Sequence, residues 1–347
     1  MTATNEGGGL LLAGDLGATK TDLALYRADS WPGPPLRQQT FRNRDFAEFD
    51  GLLAAFLAER TRPAAICLGV AGPILDNAVH MTNLSWSIAG AALQARFGCS
   101  QALLINDLVA TAAGIPWLAP ADVRSLNPDG QPAAGAAMAV LAPGSGLGEA
   151  FLVPHGDLFL PFPSEGGHAS FAPRTAEQIE LLSFMTSLHG HVSVEQVCSG
   201  LAIPELFAFA AANRPVPAWL ATELVQAVDR TPAIVQAAIG AVHRGKPCDP
   251  AVQALHLFLD ILADEAANLA LKTLALGGVF IGGGLAARVL PLIEASRFMA
   301  VFARGVHRQM LARIPVQVIL NPQTALLGAA ALGIRALGSD SAATSST

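Results

Sequence analysis

Short apolar runs separated by glycine-rich polar turns dominate the first third of the chain. Leu10–Ala13 and Leu23–Tyr26 flank Gly14-Asp15-Leu16-Gly17-Ala18-Thr19-Lys20-Thr21, and the alternation of Thr21, Leu23 and Leu25 predicts a β-hairpin that opens a sheet. Arg37–Phe41 reads as a further strand, followed by a helix near Phe46–Arg60 and a buried strand over Ala64–Val70. Ala102–Ile105 predicts another strand, and a helix starts near Leu108 and stops at the Gly114-Ile115-Pro116 break. A second strand pair, Ala139–Ala142 and Ala150–Val153, is joined by Pro143-Gly144-Ser145-Gly146-Leu147-Gly148. Helical periodicity then dominates, near Ala176–Leu188 and Val252–Leu274. Val279–Ile281 is a short buried strand before Gly282-Gly283-Gly284 and a Leu- and Ala-rich helix; Val316–Leu320 and a helix over Thr324–Leu337 close the pattern. Strands alternating with helices place the chain in the α/β class.

Composition narrows the class of partner. The chain of 347 residues is 52% hydrophobic, enough for two packed domains. A net charge of −6 with no basic run argues against nucleic acid. Gln131–Gly148 carries no charge, but its glycines and prolines make it unfit as a membrane helix, so no membrane partner is expected. Cys67, Cys99, Cys198 and Cys248 are too widely spaced for a zinc site and read as reduced thiols. Met1–Gly9 lacks the pattern of a signal peptide, and the expected location is cytoplasmic. The apolar helices lead to an expectation of a homodimer. Gly338–Thr347 shows no apolar periodicity and is expected to fray, with residues 339–347 forming a disordered tail.

Several segments combine polar side chains with glycine in ways that suit chemistry. In the first hairpin, glycines allow close backbone approach, so turn amides can converge on phosphate oxygens; Thr19 and Thr21 add hydroxyls, and Asp15 ends the first strand, placed to hold a hydrated Mg²⁺. An ordinary hairpin with a polar turn would show the same residues. Asn106-Asp107 lies between a buried strand and a helix, where open α/β sheets bind ligands, and a helix cap accounts for one of the two. Glu165 and His168 flank Gly166-Gly167, and a neutral His beside a Glu supplies the donor and acceptors that a vicinal diol needs. Ser193-x-x-Gln196 fits a capping box, with Glu195 as a first-turn carboxylate. His189 and His191 read as surface residues, and Trp86, after Asn83, as packing.

Gly-Asp-Leu-Gly-Ala-Thr, Ile-Asn-Asp (105–107), Pro-Gly-Ser-Gly-Leu-Gly, Pro-Ser-Glu-Gly-Gly-His (163–168) and Gly-Gly-Val-Phe-Ile-Gly-Gly-Gly (277–284) occur in one order. That order, over about Leu10 to Leu337, resembles the bacterial glucokinases of the actin, heat-shock chaperone and sugar kinase superfamily. The resemblance implies a two-domain actin-like ATPase (ribonuclease H-like) fold with an interdomain active-site cleft. The corresponding domains are residues 1–116 with 322–338, small and α/β, and 117–321, larger and α+β. It implies ATP-dependent, Mg²⁺-assisted phosphorylation of D-glucose at the 6-hydroxyl. Asp107 would be the base, and Asn106, Glu165, His168 and Glu195 would contact the sugar. Gly14, Asp15, Gly17, Ala18, Thr19, Lys20, Gly144, Ser145, Gly146, Gly283 and Gly284 would hold the nucleotide, Asp15 reaching Mg²⁺ through water. Ser145 stands where the family usually has Thr, which keeps the hydroxyl. Ala18 stands where it usually has Gly, and the methyl is expected to narrow the approach to phosphate or restrict φ. Rival readings are a kinase for fructose or mannose, a sugar-sensing regulator without catalysis, and a phosphatase or polyphosphate-acting member of the superfamily.

Overall fold

The computed structural model describes residues 9–57, 61–81 and 84–344. Leu11, Leu12, Ala13 and Leu16 have no exposed surface because their strand, β1 (Leu10–Leu16), is paired on both edges and covered on both faces. It pairs antiparallel with β2 (Lys20–Arg27) and parallel with β4 (Ala65–Val70); β3 (Arg37–Arg42) lies outside β2 and β7 (Gln101–Asn106) outside β4. A separate hairpin joins β5 (Ala78–Met81) and β6 (Trp86–Ala89). Alternation along β1 sends Leu12 and Leu16 to a core with α1 (Phe49–Phe56) and α2 (Gly90–Phe97), and Leu11 and Ala13 to the opposite face. Asp107–Gly114 is α3.

The helix expected over Phe46–Arg60 is shorter. Asn43–Asp45 folds into a 3₁₀ turn with Asn43 buried, and extended backbone at Leu57 ends α1; residues 58–60 lie outside the described residues.

The next sheet has six strands, five of them wholly within the second unit. β8 (Val123–Ser125), β9 (Met138–Pro143), β10 (Leu147–His155), β11 (Leu158–Ser164), β12 (Gly278–Ile281) and β13 (Val316–Ile319) lie in the order β11-β10-β9-β12-β13-β8. The helices of the second unit are α4 (Ala176–His189), α5 (Ile203–Ala211), α6 (Ala218–Gln226), α7 (Thr231–Arg244), α8 (Asp249–Thr273), α9 (Gly283–Val289), α10 (Ala295–Phe302) and α11 (Arg308–Leu311). Buried residues line almost every side of α8, from Ala251 to Ala270, which makes it the centre of this core.

The chain then returns to the first unit through α12 (Thr324–Thr344), which packs on β1, β4 and α3. Leu326, Ala329 and Ala330 cover Leu11, Ala13 and Cys67. The approach to α3 is close: a Cβ on Gly328 would run into the Ala110 carbonyl. This helix continues past Leu337 through the stretch expected to fray, and residues 345–347 lie outside the described residues. Compact units comprise residues 1–120, 158–163 and 321–347 in one case, and 121–157 and 164–320 in the other. The first extends to Pro120 rather than residue 116 and also takes in 158–163.

Candidate active site

In the first unit the hairpin turn is held from below. Gly17 N–H donates to the Lys20 carbonyl (3.0 Å), closing the turn, while Asn43 Nδ2 donates to the Gly17 carbonyl (2.8 Å) and Asn43 N–H to the Thr19 carbonyl (3.1 Å). The Thr21 hydroxyl, fully buried, donates to Asn43 Oδ1 (2.8 Å), so it is spent on the brace rather than offered to a phosphate. Ala18, Thr19 and Lys20 remain exposed, and with Thr40, Arg42, Arg44 and Leu84 they line an open groove of about 680 Å³. No residue of the turn has positive φ, so the Ala18 methyl brings no backbone strain. Gly14 lies within the strand, where a Cβ would come 2.7 Å from Leu68 Cδ2 and 2.8 Å from Leu23 Cδ2; its missing side chain serves packing.

Asp15 and Asp107 sit on neighbouring elements of the same unit. Asp15 pairs with Gly69 in β4, and a Cβ on Gly69 would lie 3.0 Å from Ala110 Cβ, so the glycine lets the first turn of α3 settle over the sheet. Burial, then the nearby charges of Asp107 and Asp22, push the Asp15 carboxyl up to about 7 against the pull of Lys20. Burial also raises Asp107, which the Leu108 amide and its own amide partly offset. Asn106 is the cap: its Oδ1 accepts from Leu108 N–H (2.9 Å) and Val109 N–H (3.3 Å), leaving Nδ2 as the group a ligand can use. Asp107 Oδ1 accepts from Leu108 N–H (2.9 Å), and its own amide also faces the carboxylate.

The second unit gathers Glu165, His168 and Glu195. Gly166–His168 forms a 3₁₀ turn at the end of β11, and Glu195 N–H donates to the Gly167 carbonyl (2.8 Å). His168 Nδ1 lies 3.8 Å from Glu195 Oε1 and its Nε2 3.7 Å from Glu165 Oε2, so the three make one polar surface with Glu165 the most exposed. The capping box forms as expected, Ser193 N–H donating to Gln196 Oε1 (2.8 Å) and Gln196 N–H to the Ser193 hydroxyl (3.4 Å). It closes a turn rather than a helix, since α5 starts only at Ile203.

Glu195 also reaches the second glycine turn. Its Oε2 accepts from Leu147 N–H (2.8 Å), and a Cβ on Gly146 would collide with the same carboxylate. Gly200 N–H donates to the Gly144 carbonyl (2.8 Å) and Leu201 N–H to that of Ser145 (3.3 Å), which fixes the turn against the following loop. Ser145 is exposed at its tip. Gly283 has φ +83° and packs on the Pro143 carbonyl, where a Cβ would lie 2.6 Å away, while Gly284 faces open space. Gly144–Gly146 and Gly283–Gly284 are thus neighbours.

A family model described as Glucokinase matches residues 12–335. The glucokinase of Nostoc punctiforme is 38% identical over 339 residues, covering 94% of this chain and 99% of the relative. The chain belongs to the glucokinase family. The crystal structure of a glucokinase from an Antarctic psychrotroph superposes with a TM-score of 0.80 at 31% identity, covering 93% of this chain and 98% of that one. A ROK family glucokinase from Streptomyces griseus, crystallised with glucose and AMPPNP, matches with a TM-score of 0.61 and 20% identity over 94% of this chain and 100% of that one, a likeness of fold. The actin-like, two-domain α/β architecture expected of a glucokinase is therefore the one this chain adopts.

Within this glucokinase framework, three supporting residues were invisible in the motifs. Asn43 braces the first turn from between the strand expected over Arg37–Phe41 and the helix expected from Phe46, Gly69 allows α3 to approach Asp15, and Glu149 lies behind Gly166. Only an Asx residue isolated between two apolar segments hinted at Asn43. His189 and His191 are occupied elsewhere, pairing with Glu205 (2.9 Å) and the Ser170 hydroxyl (3.1 Å). Trp86 is buried, its indole N–H donating to the Ala47 carbonyl (3.1 Å); Asn83 lies outside the described residues.

Proposed function

We propose that the protein transfers the γ-phosphoryl group of ATP to the 6-hydroxyl of D-glucose. The observation that carries this reading is Asp107: Asn106 takes over the capping of α3, so the neighbouring carboxylate meets the Leu108 amide and its own, and burial outweighs both and makes it more basic. Such a group suits the removal of a hydroxyl proton as the oxygen attacks phosphorus. Glu165, His168 and Glu195 form a polar surface in the second unit for the ring hydroxyls, and Asn106 Nδ2 offers a donor in the first; glucose in the S. griseus crystal supports the sugar as substrate.

The two glycine turns are read as phosphate sites. Ala18, Thr19 and Lys20 are exposed beside Gly17 and bring a cation in the first unit; Ser145 is exposed between Gly144 and Gly146 in the second, beside Gly283 and Gly284 for the adenosine. AMPPNP in the S. griseus crystal supports ATP as donor. A Mg²⁺ ion suits Asp15: among the described residues no group of three or more His, Cys, Asp or Glu forms a protein cage, and Mg²⁺ keeps most of its waters when held by one carboxylate and substrate phosphates. The cation would neutralise charge on the transferring phosphoryl group. A homodimer in the cytoplasm belongs to the same reading, which the four buried free thiols fit; light scattering and cell fractionation check it.

Replacing Asp107 with Ala should lower kcat by about 10³-fold while calorimetry still detects glucose. Near-normal turnover would remove Asp107 from its role. Relative kcat/KM for glucose, fructose and mannose decides the hexose.

A further inference from the structure

Glu149 stands on β10 behind the turn that presents His168. It is 2% exposed, and its Oε1 has no hydrogen-bond partner among the described residues. Its Oε2 lies against Gly166, so near that a Cβ on that glycine would collide with it. The same strand end carries the other supports of the polar surface: Leu147 N–H holds Glu195, and the Leu147 carbonyl fills the place of a Gly167 side chain. An apolar residue would fill the space behind Gly166 without the cost of burying a carboxyl.

We propose that Glu149 is a positioning residue for the sugar, setting the Gly166–His168 turn through Gly166 and tying hexose affinity to its own protonation. The proposal rests on the reading that this turn holds the sugar.

The charged and titratable groups facing Glu149 are Glu265 and Lys272 from α8 and Cys198 from the loop after Glu195. Glu265 is itself buried, accepting from Asn268 Nδ2 (2.9 Å) and lying 3.5 Å from Lys272 Nζ. Burial, then the Glu265 charge, push Glu149 up to about 7, with Lys272 opposing. The neutral carboxyl fits this site. Its ionised form sets a second negative charge near Glu265, under the turn, with one oxygen unpartnered. A hexose covering the turn removes water and favours the neutral form further. Linkage then requires the protonated protein to bind hexose more tightly, so affinity falls as pH rises through the neutral range.

The test measures the glucose dissociation constant by calorimetry without nucleotide, and KM and kcat for glucose, between about pH 6 and about pH 8.5. The natural protein should lose about fivefold or more in affinity across that range, whereas Glu149→Gln should hold a flat value near the low-pH one with kcat within about twofold. Gly166→Ala should raise KM, and Glu149→Ser in the same chain should recover most of the loss, a non-additive pair that simple loss of stability does not produce. A Glu149→Gln protein that keeps the natural slope overturns the proposal. So does independent addition of the Gly166→Ala and Glu149→Ser effects. His168→Ala separates the two levels: unchanged glucose affinity there removes the sugar reading itself, while lost affinity together with an unaltered Glu149→Gln slope removes only the role of Glu149.

Discussion

Asp15 and Asp107 are held in conditions that favour their neutral forms, yet the proposed chemistry needs both ionised. The sign of the consequence follows from the Asp15 shift. Its native value of about 7 lies above the ordinary 3.8, so between those limits the folded chain keeps a proton that the unfolded chain has released. Stability therefore falls as pH rises through that interval and levels off above it. Asp15→Asn is expected to raise the melting temperature at pH 8 relative to the natural protein and to leave it unchanged near pH 4, while nucleotide use is lost. The natural kcat/KM for ATP should drop as pH falls below about 7; a profile that stays flat to pH 5 would show that Asp15 need not ionise. Both carboxylates were legible in the sequence, because each ends a buried apolar run. Their mutual effect was not, since it depends on Gly69 bringing two strands and a helix start together.

The first glycine turn shows how an element's rigidity comes from outside it. Its hairpin was legible from alternation, but the three hydrogen bonds that hold it come from Asn43 and Thr21, and Asn43 lies just after β3, between the expected strand and the expected helix, where no periodicity marks it. Asn43→Ala leaves the Thr21 hydroxyl and the Gly17 carbonyl without their partner, at a cost of about 1–3 kcal/mol, with KM for ATP rising more than KM for glucose. Chemical denaturation and initial rates check both parts; equal rises in the two KM values would mean a general loss of fold. Glu195 offers a second case. Ser193 and Gln196 form their reciprocal bonds, but the helix such a box usually starts is absent, because the segment is committed to Gly167, Gly144 and Ser145 instead. Local signals located the element's beginning, and tertiary pairing decided its continuation.

At the scale of the molecule, the ordering of apolar runs conveyed the α/β class and the two-part division, and the resemblance of five ordered motifs conveyed the family. Less accessible was the length of α12. Ser, Asp, Ala and Thr after Gly338 carry no apolar stripe, so nothing local distinguished a helix from a tail there. The inner part of α12 does have a stripe, and its contact with α3 depends on Gly328 facing the Ala110 carbonyl. Gly328→Val should cost about 3 kcal/mol or more by forcing these helices apart. Urea unfolding with a midpoint equal to that of the natural protein would refute the contact. Removing the chain from Thr324 onward should leave β1 and β4 uncovered on one face, seen as dye binding to exposed apolar surface and loss of activity.

The strand that carries Asp15 precedes the second unit in the chain, and the helix that seals it and clasps the Asp107 helix follows that unit. A chain cut short within the second unit therefore leaves its proposed base on an unfinished support, however well the remaining elements have folded.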